Sequence, residues 1–211
     1  MNVSTIAEFN DNATGFEAGK RYWFKVTETE DGLKWTKFLT VEPEEPEIPH
    51  VSTLEELQDA LSDNSIETII LTAPISVNED NDILLNNKTI IISENFNWGD
   101  ALAAITIDHC SQNIVKGTIQ GSEKEVQGKY LVAVLNEDQP NKPILRIQNV
   151  TLQANGIANG VFVQNSNFQL KEGSLVEASN YAINIEAYRE HATAELGLIN
   201  SSESVTIRGH V

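Results

Sequence analysis

Between Leu102 and Gly209 the chain alternates short apolar strands with small or polar corners, and this constrains its fold more than any other feature. Ile105 and Ile107, Val132 and Val134, Leu145 and Ile147, Val161 and Val163, and Ile183 and Ile185 each place two apolar residues at alternate positions. Asn113, Gly117, Gly121, Asn149, Gly156, Gly160, Asn165, Asn167, Gly173 and Asn180 supply corners between such pairs. A pitch of about 7 to 11 residues from corner to corner is an all-β signal. Alternation turns the apolar set inward and leaves Thr106, Arg146, Thr151, Gln169 and Asn184 facing out.

A longer period runs above the strand period. Gly117–Gly121 aligns with Val150–Ala154 and with Gly173–Glu177, and Val161 recurs as Ile183 after 22 residues. About twenty residues holding three apolar strands reads as one coil of a solenoid, since each coil buries its apolar face by stacking on its neighbours. Asparagine suits the corners because it tolerates a left-handed backbone.

Three segments precede this region. Residues 1–42 form a small β unit, with strands over 16–27 and 33–41 and Asp31-Gly32 as the hairpin turn. Its closing strands resemble those of a fimbrillin-like or immunoglobulin-like sandwich. Residues 43–50, with Pro43, Pro46, Pro49 and three glutamates, read as an extended linker. Ser52 and Thr53 before Glu55 and Glu56 offer two overlapping capping boxes, and Leu54, Leu57 and Leu61 share one helical face. A helix over 53–62 is therefore expected to cap the first coil of a domain spanning 51–211.

Asn86-Asn87-Lys88-Thr89-Ile90-Ile91-Ile92 and Ile105 through Gly121 resemble the parallel β-helix proteins of the pectate-lyase-like superfamily. The helix at 53–62 followed by Ile66–Thr72 is similar to the capped start of such proteins in bacterial surface molecules. The resemblance implies an all-β, right-handed parallel β-helix with about three strands per coil. On function it is open, because the superfamily holds lyases, hydrolases, phage tailspikes and adhesins.

Composition narrows the partners. Fourteen Lys and Arg against 31 Asp and Glu give a net charge of −17, which argues against nucleic acid and against an anionic membrane surface. Such a surface could hold divalent cations such as Ca²⁺ weakly. Cys110 is the single cysteine, so no intrachain disulfide or thiolate zinc cluster is available, and it reads as a small core residue. No apolar run reaches membrane-spanning length. The chain opens without a basic, apolar leader, and the resemblance favours a mature fragment of an extracellular or cell-surface bacterial protein.

The resemblance also says where an enzyme of this fold keeps its chemistry, namely carboxylates on the outer face of adjacent coils, with calcium and a basic residue in lyases. The outward positions here are Thr106 and Asp108, then Ala133 and Leu135, Phe162 and Gln164, and Asn184 and Glu186. Asp108 and Glu186 are the acids among them, three strands or about 14 Å apart. Paired glycosidase carboxylates stand about 5 to 9.5 Å apart. No catalytic residue is assigned; His109 beside Asp108 leaves a slim metal or proton-transfer role.

Trp98 beside Asp100, in a turn with two exposed-looking aromatics, offers a ring that could stack a sugar. Trp98, Asp100, Asp108, Phe162 and Glu186 are thus the candidate ligand-binding residues. Glu123–Lys129, Asn136–Lys142 and Tyr188–Ala192 are polar insertions of the kind that carry function on a rigid scaffold. The expectation is a non-catalytic adhesin or glycan-binding surface module. Its alternatives are a polysaccharide lyase or hydrolase and a tailspike-like fibre. The last strand, Ser204–Val211, stays in register without a cap, which predicts self-association through the C-terminal coil.

Overall fold

The computed structural model describes residues 21–41, 47–79, 82–136, 142–186, 195–198 and 206–210. The chain divides into two compact units, Met1–Glu47 and Ile48–Val211. In the first, β1 (Arg21–Thr29) and β2 (Gly32–Val41) pair antiparallel with Thr29 opposite Gly32. The turn is therefore Glu30-Asp31, one residue earlier than expected. Gly32 takes a φ of +113° as the first ladder residue, and its carbonyl accepts a hydrogen bond from Thr29 Oγ1 at 2.8 Å. The expected start of the first strand, Phe16–Lys20, lies outside the described residues, as do Pro43 to Pro46 of the linker.

The second unit begins with β3 (His50–Val51), α1 (Leu54–Ser62), β4 (Thr68–Leu71), β5 (Ile75–Val77), β6 (Ile83–Leu84) and β7 (Thr89–Ile92). It continues with β8 (Ala103–Asp108), β9 (Gln112–Gln120), β10 (Val126–Leu135), β11 (Ile144–Gln153), β12 (Ile157–Gln164) and β13 (Asn167–Leu170). β14 (Leu175–Tyr181), β15 (Ile183–Glu186), β16 (Glu195–Leu198) and β17 (Thr206–His210) complete it. Every described pairing in this unit is parallel.

Three ladders result. One runs β5, β8, β10, β12, β15. The others share the long strands β9 and β11, whose first halves pair with β6 and β13 and whose second halves pair with β7 and β14. The bend inside each long strand has a residue in the left-handed region. Asn87, Lys116, Asn149 and Gly173 have φ of 65°, 62°, 55° and 67° and fall at equivalent places on successive strands. A Cβ at Gly173 would press on the Asn149 side-chain oxygen, and its φ is one that L side chains rarely adopt, so glycine suits that corner.

Two of the three aligned repeats pair in the expected register, Gly117 to Gln120 against Val150 to Gln153. The third is shifted by one residue. Thr151 faces Leu175 and Leu152 faces Val176, so Val176 is buried while Leu175 points outward, half-buried. Gly173 consumes a residue at the corner, and a slip of one exchanges the two faces of a strand.

The core is the stacked inner side of these ladders. Ile105, Ile107, Val134, Val163 and Ile183 are fully buried as expected, whereas Ile185 is only partly covered. Cys110 joins the core and donates from Sγ to the Val77 carbonyl at 3.3 Å. At the N-terminal side α1 buries Leu57, Ala60 and Leu61. One capping box forms rather than two: Thr53 Oγ1 accepts from the Glu56 amide at 3.2 Å, and Glu56 Oε2 accepts from the Thr53 and Ser52 amides at 3.2 and 2.7 Å. Buried Lys88 ties the end of the helix to the next strand, donating to the Asp63 and Ile66 carbonyls at 2.6 and 2.7 Å.

Candidate functional site

The outer face of the β5–β8–β10–β12–β15 ladder has the expected register. Ser76, Thr106, Ala133, Phe162 and Asn184 form one row across five strands, with Leu135 beside Asp108 and Glu186 beside Gln164 in the next. Asp108 and Glu186 therefore stand three strand steps apart, about 14 Å at ordinary spacing. Asp108 instead contacts the next residue, with its Oδ1 2.5 Å from His109 Nδ1, because His109 turns a left-handed corner at φ 59°.

Between the two acids lies an apolar cluster separate from the core: Ala103, Tyr130, Ala133 and Phe162, flanked by Leu102 and Leu135. The Tyr130 ring leans on Phe162 with centroids 5.1 Å apart, leaving Phe162 5% exposed. Asn184 Nδ2 donates to Tyr130 Oη at 2.9 Å and to Glu186 Oε1 at 3.0 Å. Burial raises the Tyr130 phenol above its ordinary pKa; the Asn184 bond opposes this, and the Glu186 carboxylate adds to it. A phenol held neutral in this way can accept or donate a hydrogen bond but is a poor base.

The structure thus brings Phe162 and Glu186 into one chain of contacts through Tyr130 and Asn184. Strict alternation counted back from Val134 and Val132 would turn Tyr130 into the main core. It fails because Leu131 and Val132 both face the core, as Ala104 and Ile105 do on the neighbouring strand, and this flips Tyr130 outward beside Ala103.

Trp98 and Asp100 lie in the turn before β8. Phe96 is buried, contrary to its exposed look in sequence, and its ring lies 4.6 Å from that of Trp98. Trp98 packs partly against the core with Lys129 Nζ 5.9 Å over its ring. Asp100 is exposed. Of the three polar insertions, the first ends in β10 around Gly128 at φ 69°, while 137–141 and 188–192 lie outside the described residues.

A second feature had no warning in the strand pattern. A groove of about 380 Å³ opens on the outer side of β3, β4, β7 and β9. Its floor is the row His50, Ile70, Ile91 and Gln120, and Glu94 and Glu123 stand in the turns after β7 and β9. Gly121 lets that second turn close, since a side chain there would meet the Ala154 carbonyl oxygen at 2.0 Å. Among the described residues, no three His, Cys, Asp or Glu side chains gather closely enough to hold a metal ion. No helix of the described residues is long and apolar enough to cross a membrane.

No curated protein and no solved structure matches the chain. Residues 48–191 do match a family, and they cover β3 through β15, the Tyr130 cluster and the groove. With more than half of its length in that match, the chain belongs to the pectate lyase-like adhesive domain family.

Proposed function

We propose that this chain is a non-catalytic adhesive module of a bacterial cell surface, built as a right-handed parallel β-helix. Membership of an adhesive-domain family supports the surface role. The observation that carries the non-catalytic reading is the outer face of the β8–β10–β12–β15 ladder. Where polysaccharide-active members of the superfamily gather carboxylates, this chain has Ala133, Leu135 and Phe162 under Tyr130, with Asp108 and Glu186 three strands apart. A ligand on this face meets Tyr130, Asn184 and Glu186 before Phe162, with the half-exposed Asp108 carboxylate three strands from Glu186.

The test incubates the chain with polygalacturonate and with neutral polysaccharides, with and without Ca²⁺. No new unsaturated or reducing ends are expected, while the chain immobilised on beads retains cells or cell-surface material. Product formation that disappears in Asp108→Ala would replace this reading with a polysaccharide-active enzyme.

A further inference from the structure

The outer side of β4 and β7 breaks the rule that the rest of that surface follows. At the register position of Ile70 and Ile91, later strands carry Gln120, Gln153, Glu177 and Arg208. Two positions earlier on the same face the side chains are Thr68, Thr89, Thr118 and Thr151. Ile70 and Ile91 do not belong to the core, which is already filled from these strands by Ile69, Leu71, Ile90 and Ile92 at 1% exposure or less. They form an apolar floor open to solvent, and the turns that flank it raise two carboxylates, Glu94 and Glu123.

We propose that this groove binds a lysine or arginine side chain presented by a basic segment of a partner protein. The aliphatic stem would lie along Ile70 and Ile91 and the cationic head between Glu94 and Glu123, as such side chains do when an apolar wall adjoins an anionic rim. Three observations select this occupant. No lysine or arginine lines the groove among the described residues, so it repels uronates and other anions. Among the described residues the only ring lining it is His50, so they offer no aromatic platform for a sugar to stack upon. The same row of the sheet already holds a guanidinium against a carboxylate within the chain, with Arg208 Nη1 3.3 Å from Glu177 Oε1. A net charge of −17 adds long-range attraction for a cationic partner. The proposal concerns a site apart from the Tyr130 face and does not depend on whether that face is catalytic.

The experiment measures binding of a fluorescent peptide alternating lysine and serine to the full chain, beside peptides with glutamate or glutamine for lysine. Only the lysine peptide is expected to bind. Glu94→Gln with Glu123→Gln should weaken it by about tenfold or more, since each charged hydrogen bond lost is of that order. Ile91→Thr, a strand-forming change on an outward position, should weaken it as well. Glu28→Gln with Glu30→Gln, two exposed positions of the first unit, changes net charge equally and should leave binding intact. Equal loss in that control would show mere attraction to an acidic surface and overturn the proposal. Absence of lysine-peptide binding, or equal binding of the glutamine peptide, would overturn it too. Circular dichroism matching the parent checks that each variant is folded.

Discussion

Tyr130 and Phe162 form the clearest case in which one residue's position depends on another's. Phe162 sits outward by alternation, yet it is buried because Tyr130 covers it. Phe162→Ala should cost about 3 kcal/mol in denaturant unfolding, the usual loss for a buried phenylalanine. Tyr130→Phe keeps the ring contact and removes only the acceptor of the Asn184 bond, so about 1 kcal/mol is expected. The pH dependence separates the two further. Because burial raises the Tyr130 pKa in the fold, its neutral phenol contributes stability that is complete below the ordinary tyrosine value of about 10. That contribution disappears as pH rises through the raised value. The gap between the parent and Tyr130→Phe should therefore narrow on going from pH 8 to alkaline conditions. A gap that widens would mean the phenolate is favoured by the fold.

Among the elements, β14 shows how far a sequence pattern can be read and where it stops. The parallel ladders and the pairing of β9 with β11 were legible because two aligned repeats of equal length leave alternation only one register. The left-handed corner at Asn149 was legible from residue type, whereas Lys116 at φ 62° was not, since lysine gives no local reason to turn. In β14 the corner itself absorbed a residue, and Leu175 exchanged places with Val176. The groove escaped notice for a related reason: Ile69-Ile70-Leu71 and Ile90-Ile91-Ile92 are continuous apolar runs, which conceal the outward member in the middle. Substitution tests the register of β14 directly. Val176→Thr puts a hydroxyl into the core and should cost about 1 to 3 kcal/mol. Leu175→Thr continues the outward row of Thr118 and Thr151 and should change stability by less than about 0.5 kcal/mol. The opposite order would restore the register expected from the repeat.

For the molecule as a whole, charge is the dominant unbalanced term. The chain carries 31 acidic against 14 basic side chains, and Arg208 with Glu177 is the one Lys or Arg pair with a carboxylate among the described residues. Lys88 and Lys129 spend their ammonium groups on backbone carbonyls instead. Carboxylates in such excess repel one another, which opposes folding and self-association alike. Salt weakens both effects as the screening length falls from about 30 Å at 0.01 M to about 10 Å at 0.1 M. Over that range the midpoint of thermal unfolding should rise, while the affinity for the lysine peptide should fall because the same screening reaches Glu94 and Glu123. Light scattering recorded in parallel distinguishes a stabilised monomer from chains that associate once repulsion is screened. A midpoint that stays flat or falls would mean that the carboxylates are compensated locally, and the attraction expected for a basic partner would then have to come from the groove alone.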